Sequence, residues 1–596
     1  MEPGLYYKNR LEVLENKLTL LLKKESRLGI LRFVAAAALL AGIYVFWGTP
    51  LPYIIAAAVV FSIIFSQIVF ADINNKAIIL HTRKLISINE DEVKALEHVY
   101  AHFEDGHQFL PEEHMYANDL DIFGKSSLYQ YINRTTSDIG SNLLASWLLK
   151  PADPEIILQR QVAIKELSKL TDWRHEIQAT GRDKRIQYST ERRMNTWMNS
   201  PDVFLNNKNM QWLRYIIPAI MMMLTLGFIF DLIKWEVLSV GLIFSWAFAN
   251  LQGRKINIIH QHLSDMVEEM QVLSASLKLI EGISLESPLL LSIQNTCRNK
   301  EKSGSDEISL VRRIMEQLDL RLNLLAVPLE IYLCWSIHHV IRLERWKRVN
   351  NEKVENWFSA IAHIEVLNSV ATFTFNNPSF TLPILDKNHF FLEGRSLGHP
   401  LIPVNKRINN NINIDHLSEI MLITGSNMAG KSTYLRSVGV NMVLAMTGSP
   451  VCAEYFRLSP VQVISSMRIT DNLAESTSTF YAELKKLKTI IDQVNNGEKV
   501  FILLDEILRG TNSLDRHTGS IALLKQLIRK KAVGIIATHD LELAELKKDY
   551  PDNILNYHFD VQVNNEELFF DYKLKEGVCK SMNASILMKK IGIEID

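Results

Sequence analysis

Residues 425–432 read Gly-Ser-Asn-Met-Ala-Gly-Lys-Ser, an instance of G-x-x-x-x-G-K-[ST], and no other feature restricts the fold of this chain so strongly. The motif follows directly on Ile420-Met-Leu-Ile-Thr424, an apolar run that reads as a buried strand. A helical pattern begins after it, near Tyr434. Strand, glycine-bounded loop and helix in that order predict a phosphate-binding loop. Gly425 and Gly430 permit the backbone angles that turn amides inward around phosphate oxygens. The helix starting near Lys431 points its positive end at the same oxygens. Lys431 neutralises β- and γ-phosphate charge, and Ser432 offers a hydroxyl to Mg²⁺. The expected cofactors are ATP and Mg²⁺. The expected nucleotide contacts are Gly425, Ser426, Asn427, Met428, Ala429, Gly430, Lys431, Ser432 and Thr433.

Two later segments complete the chemistry. Val500 to Leu504 is an unbroken apolar run ending in Asp505-Glu506, as in a strand buried on both faces of a parallel sheet. Asp505 is expected to hold magnesium together with Ser432. Glu506 is placed to orient or deprotonate the attacking water. Ala532 to Ala537 reads as a third strand, followed by Thr538-His539-Asp540. A histidine at a strand's carboxyl end faces the ligand crevice of an open sheet, so His539 is expected to sense the γ-phosphate.

The N-terminal region makes a different demand. Leu28 to Trp47 is apolar apart from Arg32, and Leu51 to Phe70 has only Ser62, Ser66 and Gln67 as polar breaks. Each is near the roughly 20 residues that a helix needs to cross a bilayer. With Gly48-Thr49-Pro50 between them, they predict a transmembrane hairpin over 28–70, after a cytoplasmic segment 1–27. A buried soluble hairpin is the alternative, but buried soluble helices usually show a polar face. A second apolar pair, Tyr215 to Phe230 and Val237 to Ala249, is short for a span and requires tilt, thinning or shallow insertion. Lys23, Lys24, Arg27, Lys76, Arg83 and Lys84 flank the first pair. Lys208, Arg214, Arg254 and Lys255 flank the second. The positive-inside rule then predicts a multi-pass membrane protein with both termini and the nucleotide-binding domain cytoplasmic. A third apolar stretch, Leu320 to Ile341, contains Arg321, Glu330, His338 and His339, and is expected to be one helix buried against other helices.

Charge and cysteines narrow the rest. The net charge of −1 removes the strongly basic balance that favours nucleic acid as partner. Cys297, Cys334, Cys452 and Cys579 lie far apart with no C-x-x-C spacing, as expected of reduced cytoplasmic thiols rather than a metal site.

Together these segments resemble the MutS family of mismatch-repair ATPases. The carriers are Thr424-Gly-Ser-Asn-Met-Ala-Gly-Lys-Ser-Thr433, Gly398-His399-Pro400, Asp505-Glu506-Ile507-Leu508-Arg509-Gly510-Thr511-Asn512-Ser513 and Ala537-Thr538-His539. Asp471-Asn-Leu-Ala-Glu-Ser-Thr-Ser-Thr-Phe480 is similar to the family's signature segment. There a hydroxyl residue reaches the γ-phosphate held by the other subunit; carried over, that residue is Ser478, with Thr479 next. Tyr131 to Ser141 resembles the start of the family's helical core, and Leu343-Glu344-Arg345-Trp346 its closing lever helix. The resemblance implies an α/β P-loop NTPase domain (ABC-type, MutS C-terminal) over 393–590. Before it the resemblance implies an all-α core and lever domain over 126–375 that carries the second apolar hairpin at 215–249. A helical linker is expected over 71–125. It also implies a homodimer joined through the ATPase domain.

Four departures from the family pattern bear on function. Residues 70–125 leave no room for mismatch-reading and connector domains. The second apolar hairpin stands where the levers would extend to a DNA clamp. Leu508 replaces a usual glycine, and Lys406 to Asn411 holds no aromatic for stacking adenine, which leaves Arg407 to stack on the base. The expected function is a membrane-anchored ATPase acting at composite dimer sites, with DNA binding open as a property without mismatch reading. A DNA-binding repair scaffold is the alternative. A transporter-type ATPase fits poorly, since such a protein should carry a Leu-Ser-Gly-Gly type segment.

Overall fold

The computed structural model describes residues 2–45, 50–298, 302–323, 326–386, 390–426, 429–468, 479–564 and 567–579. The chain is helical up to Asn376 and mixed α/β from Ile384 onward.

Helices α1 (Pro3–Val45) and α2 (Leu51–Leu96) form one long antiparallel hairpin that takes in the first apolar run up to Val45 and all of the second, and extends well beyond their inner ends. Its two ends differ. At the inner end Tyr7, Leu14, Ile79, Leu85 and Ile88 are buried. There the Tyr7 hydroxyl donates to Asn376 Oδ1 at 2.7 Å, and Asn376 donates to Glu92 Oε2 at 2.8 Å. At the outer end Phe33, Tyr44, Val59 and Ile63 are exposed. Asp72, nearly inaccessible between the helices, pairs with Arg32 at 2.8 Å and Lys76 at 3.1 Å. Helix α2 therefore covers the first part of the expected linker. The remainder to residue 127 is not helical beyond one 3-10 turn, His107–Phe109; it runs across the α/β domain instead.

The helical core follows as α3–α7 (Leu128–Ile132, Asp138–Leu149, Pro154–Leu167, Thr171–Gly181, Tyr188–Met198), α8 (Lys208–Ile229), α9 (Trp235–Ser264), α10 (Val267–Gly282), α11 (Pro288–Cys297) and α12 (Gly304–Asp319). It closes with α13 (Val327–Leu333), α14 (Trp335–Asn350) and α15 (Val354–Asn376). Helix α15 is long and apolar enough to cross a membrane, but its most apolar stretch is 78% buried, so it is the core's central helix. Its buried Glu365 accepts from Thr136 Oγ1 at 2.6 Å and from Ser137 Oγ at 2.5 Å, which locks the 131–141 segment onto it.

The expectation of one buried helix over 320–341 is wrong. A 3-10 turn at Leu320–Leu322 precedes the separate α13, and Cys334 breaks α13 from α14 with φ 45°. Helix α13 buries none of its residues fully and lies on the second apolar pair. The Thr225 hydroxyl meets Tyr332 OH at 3.4 Å, and the Ser245 hydroxyl donates to Ile331 O at 2.5 Å. Two polar groups of this stretch are satisfied locally, Glu330 by Ser336 and His339 by Gln317. The base of the pair is held by buried Glu344, which accepts the amides of Val203 and Leu205, each at 2.6 Å.

The α/β domain has two sheets. The smaller runs β1 (Ile384–Leu385), β5 (Tyr455–Leu458), β2 (Leu392–Leu397), β3 (Asn410–Ile414) in spatial order. The larger runs β10 (Glu567–Glu576), β9 (Ile554–Asn564), β4 (Ile420–Thr424), β8 (Val533–Thr538), β7 (Val500–Asp505), β6 (Gln462–Ser466), parallel except for the β9–β10 hairpin. Helices α16 (Lys431–Thr447), α17 (Thr479–Asn495) and α18 (Ser513–Arg529) complete it. Every residue of β4, β7 and β8 is buried, as expected for parallel strands covered on both faces.

Candidate functional site at the ends of three adjacent strands

The parallel order β4–β8–β7 brings the three motifs to one edge. Thr424 pairs with Thr538 and Ala537 with Asp505, so the loop after β4, the acids ending β7 and the histidine after β8 are neighbours. Gly425 and Gly430 have φ of 141° and 106°, values that a side chain resists. A Cβ at Gly425 would lie 2.8 Å from Phe559 O. Lys431 Nζ donates to Gly425 O at 2.6 Å and Ser426 O at 3.0 Å, and lies 3.2 Å from His539 Nε2. Burial pushes its ammonium down to about 8, against the pull of Asp505 and Glu506. A bound polyphosphate would remove that penalty, since it is the charge a buried cation requires.

The Ser432 hydroxyl donates to Asp505 Oδ2. Hydroxyl and carboxylate oxygens side by side are the hard ligands Mg²⁺ takes while keeping some of its waters, so this pair fits the ion. Glu506 Oε1 lies 2.5 Å from His539 Nε2, and its Oε2 lies 2.9 Å from Arg509 Nε. The bond to His539 holds the Glu506 carboxyl below its ordinary range, despite partial burial. It is thus an anion able to accept a proton from water. Glu506 and Leu508 have φ of 55° and 59°, so the turn after β7 is left-handed twice over. Leu508, standing where the family usually has glycine, keeps that conformation; its backbone amide donates to Glu483 on α17.

Of the expected residues, the structure brings together Gly425, Ser426, Gly430, Lys431, Ser432, Asp505, Glu506 and His539. Ala429 is buried in the loop, and Thr433 lies in the first turn of α16 with its carbonyl accepting from the Ser437 hydroxyl. Asn427, Met428 and Ser478 lie outside the described residues. Arg407 stands 5.5 Å over the Phe380 ring.

Sequence reasoning missed several participants. Tyr572, on β10, lies against Gly430, where an added Cβ would be 3.1 Å from its Cδ1; an aromatic in an edge hairpin gives no motif. Asp119 and Asp121 sit in the stretch taken as linker. Asp119, 1% exposed, accepts from the Ser465 hydroxyl at 2.8 Å, the Arg468 amide at 3.0 Å and Lys486 Nζ at 2.6 Å. Asp121 accepts from Arg468 at 2.6 and 3.0 Å and lies 3.4 Å from Arg436 on α16. The acidic pair thus ties the segment after α2 to both described flanks of 469–478 and to the helix of the phosphate loop. The spacing Asp-Leu-Asp was its one signal.

These features define a mixed α/β domain of the MutS domain V type, and residues 421–591 match the family model described as MutS domain V. That domain is what the chain shares with the MutS family. Human MutS protein homolog 4 is 36% identical over 196 residues, 31% of this chain and 20% of that protein. DNA mismatch repair protein MutS of Ehrlichia chaffeensis is 34% identical over 290 residues, 48% of this chain and 34% of that protein. The Thermotoga petrophila protein of the same name is 32% identical over 237 residues, 39% of this chain and 29% of that protein. The chain therefore matches a third or less of the length of most of these relatives, and what they do as whole proteins does not transfer with the domain.

Proposed function

We propose that this protein is a membrane-anchored, Mg²⁺-dependent ATPase that works as a homodimer. The observation that carries this reading is the convergence of Lys431, the Ser432–Asp505 pair and the Glu506–His539 pair at the ends of three neighbouring strands. Loop 425–433 cradles the triphosphate and Lys431 spreads its charge. Ser432 and Asp505 hold the metal, which supplies charge neutralisation at the β- and γ-phosphates. Glu506 accepts the proton of the attacking water, and His539 steers that carboxylate. Tyr572, beside Gly430 and about half exposed, offers the ring face for adenine that residues 406–411 lack. Ser478 of each subunit serves the phosphate held by the other, and closure on ATP moves the helical region. The two apolar hairpins anchor the protein, with the α/β domain cytoplasmic.

The test is ATP turnover of the detergent-solubilised dimer, with Lys431→Ala alongside. Turnover that survives this substitution refutes the site. A second reading, DNA binding, is favoured by the names of the relatives, two of which are DNA mismatch repair proteins. Binding without base reading is carried by phosphate contacts, so it should weaken steeply with salt. A DNA titration at two salt concentrations, with turnover followed in parallel, decides whether DNA is an effector.

A further inference from the structure

Positive charge collects at the base of the second apolar pair with no ion pair to a carboxylate among the described residues. Arg214 closes the polar start of α8, directly before the apolar run 215–230. It is 4% exposed. Among the described residues its guanidinium makes one hydrogen bond, from Nε to Gln211 O at 3.3 Å, and packs 4.4 Å from the Tyr215 ring. Buried arginine in proteins is ordinarily paired, as Arg134 is here with Glu92 at 2.5 Å.

The same Tyr215 ring stands edge-on to His338 of α14, with centroids 5.2 Å apart. His338 Nδ1 is buried and takes no hydrogen-bond partner. Burial pushes this imidazole below its ordinary range, the nearby charges of Arg214 and Arg342 push it the same way, and a backbone hydrogen bond at Leu333 opposes them. Arg342 and Arg345 follow His338 on one face of α14, both exposed and without an ion pair among the described residues. Glu344, the nearest acid along the chain, is taken up by the amides of Val203 and Leu205, and Glu330 is turned to the Ser336 amide and hydroxyl. On the other side of this cationic mouth the hairpin's apolar surface begins at once, with Trp212, Tyr215, Ile216 and Ile220 all exposed.

We propose that Arg214, His338 and Arg342 bind the phosphate of an anionic phospholipid headgroup where the second hairpin enters the bilayer. The proposal rests on the membrane reading of that hairpin. A planar guanidinium matches two phosphate oxygens at once, and an anion relieves a buried cation that the protein leaves unpaired. A soluble anion would use only the charged half of the mouth; a phospholipid also covers the aromatic and aliphatic half with its acyl chains. Helix α14 leads from this mouth to α15 and so to the α/β domain, which puts lipid and nucleotide at two ends of one packed path.

The experiment uses the full chain reconstituted in phosphatidylcholine vesicles with and without phosphatidylglycerol. Flotation reads anchorage, and native mass spectrometry after detergent extraction reads retained lipid. Phosphatidylglycerol should be retained in preference to phosphatidylcholine. Arg342→Gln, an exposed position that does not threaten folding, should cut that preference roughly fivefold, the worth of one basic residue at an anionic surface. Arg214→Gln should cut it at least as much. Flotation without headgroup preference, or a preference untouched by Arg342→Gln, overturns the site and leaves anchorage standing. Failure to float overturns both. Displacement of the retained lipid by inorganic phosphate alone would make this a soluble-anion site and overturn the lipid assignment. ATP turnover of the same preparations is read separately, so a dead nucleotide site cannot be mistaken for a missing lipid site.

Discussion

Isoleucine, leucine and valine do opposite things in the α/β domain and in the N-terminal hairpin. In β4, β7 and β8 every side chain is inside. In the outer half of α1 and α2 the same residue types point outward: Ile63 is 53% exposed, whereas Leu503 on β7 is 0% exposed. One region has found its apolar surroundings within the protein. In the other the two helices touch each other, Gly42 against the Phe61 ring, and leave the rest of their apolar surface exposed, the pattern expected of lipid-facing helices under the proposed anchoring. The boundary is chemical too. At Asp72 and Arg32 the hairpin acquires ion pairs, and inward of them its faces become amphipathic and dock on the core.

The largest test of this contrast concerns the region that is complete in itself. Glu506→Gln keeps the shape of the site but removes the base. ATP turnover should fall on the order of 10²- to 10⁴-fold, while binding of a fluorescent ATP analogue persists. Turnover within a few-fold of the parent would show that water is activated elsewhere. Next in size is the sheet itself. Leu503→Ala should destabilise the protein by about 2–5 kcal/mol in urea unfolding, because a fully packed side chain leaves a cavity. A negligible loss would mean that the sheet is less tightly packed than its burial implies.

A third test reads the joint between the hairpin and the helical core. His175 is 2% exposed and stacks on Tyr7 of α1, with ring centroids 5.9 Å apart. Burial, helped by the charge of Arg174, pushes its imidazole down to about 4. Neither ring nitrogen has a hydrogen-bond partner. The unfolded chain, with an ordinary histidine near 6.5, binds the extra proton first, so the native state loses stability as pH falls from about 6.5 toward 4. The full loss from this group is roughly 3 kcal/mol. Urea midpoints across that window should drop, and His175→Gln should flatten the slope. An unchanged slope in the variant would assign the acid sensitivity to other groups.

How much of this was legible beforehand follows from the range of the interactions. The strand–loop–helix at 420–434 and the strand ends at Asp505 and His539 are local patterns, and each stands where its residues predict. The order β4–β8–β7 that joins them is not local, and neither is the packing of Tyr572 from β10 against Gly430. Asp119 looked like part of a linker because its three partners are Ser465, Arg468 and Lys486, far along the chain. The 320–341 stretch misled for another reason: its hydropathy is that of one helix, while the break is a single backbone angle at Cys334. Leu508 resisted reading because a leucine gives no hint of the left-handed turn it occupies.

The smallest expected effect is the sharpest check on the outer hairpin. Ile63→Ala makes the same kind of truncation as Leu503→Ala, on a residue of similar size. In detergent its cost should stay within about 0.5 kcal/mol, since the side chain leaves no cavity behind it. The two variants differ in little besides what surrounds the side chain, so the gap between them measures that surrounding directly. If Ile63→Ala instead loses as much as Leu503→Ala, the outer half of α2 is packed against protein, its own or a partner's. Its exposed apolar face would then be an interface between chains rather than a surface for lipid.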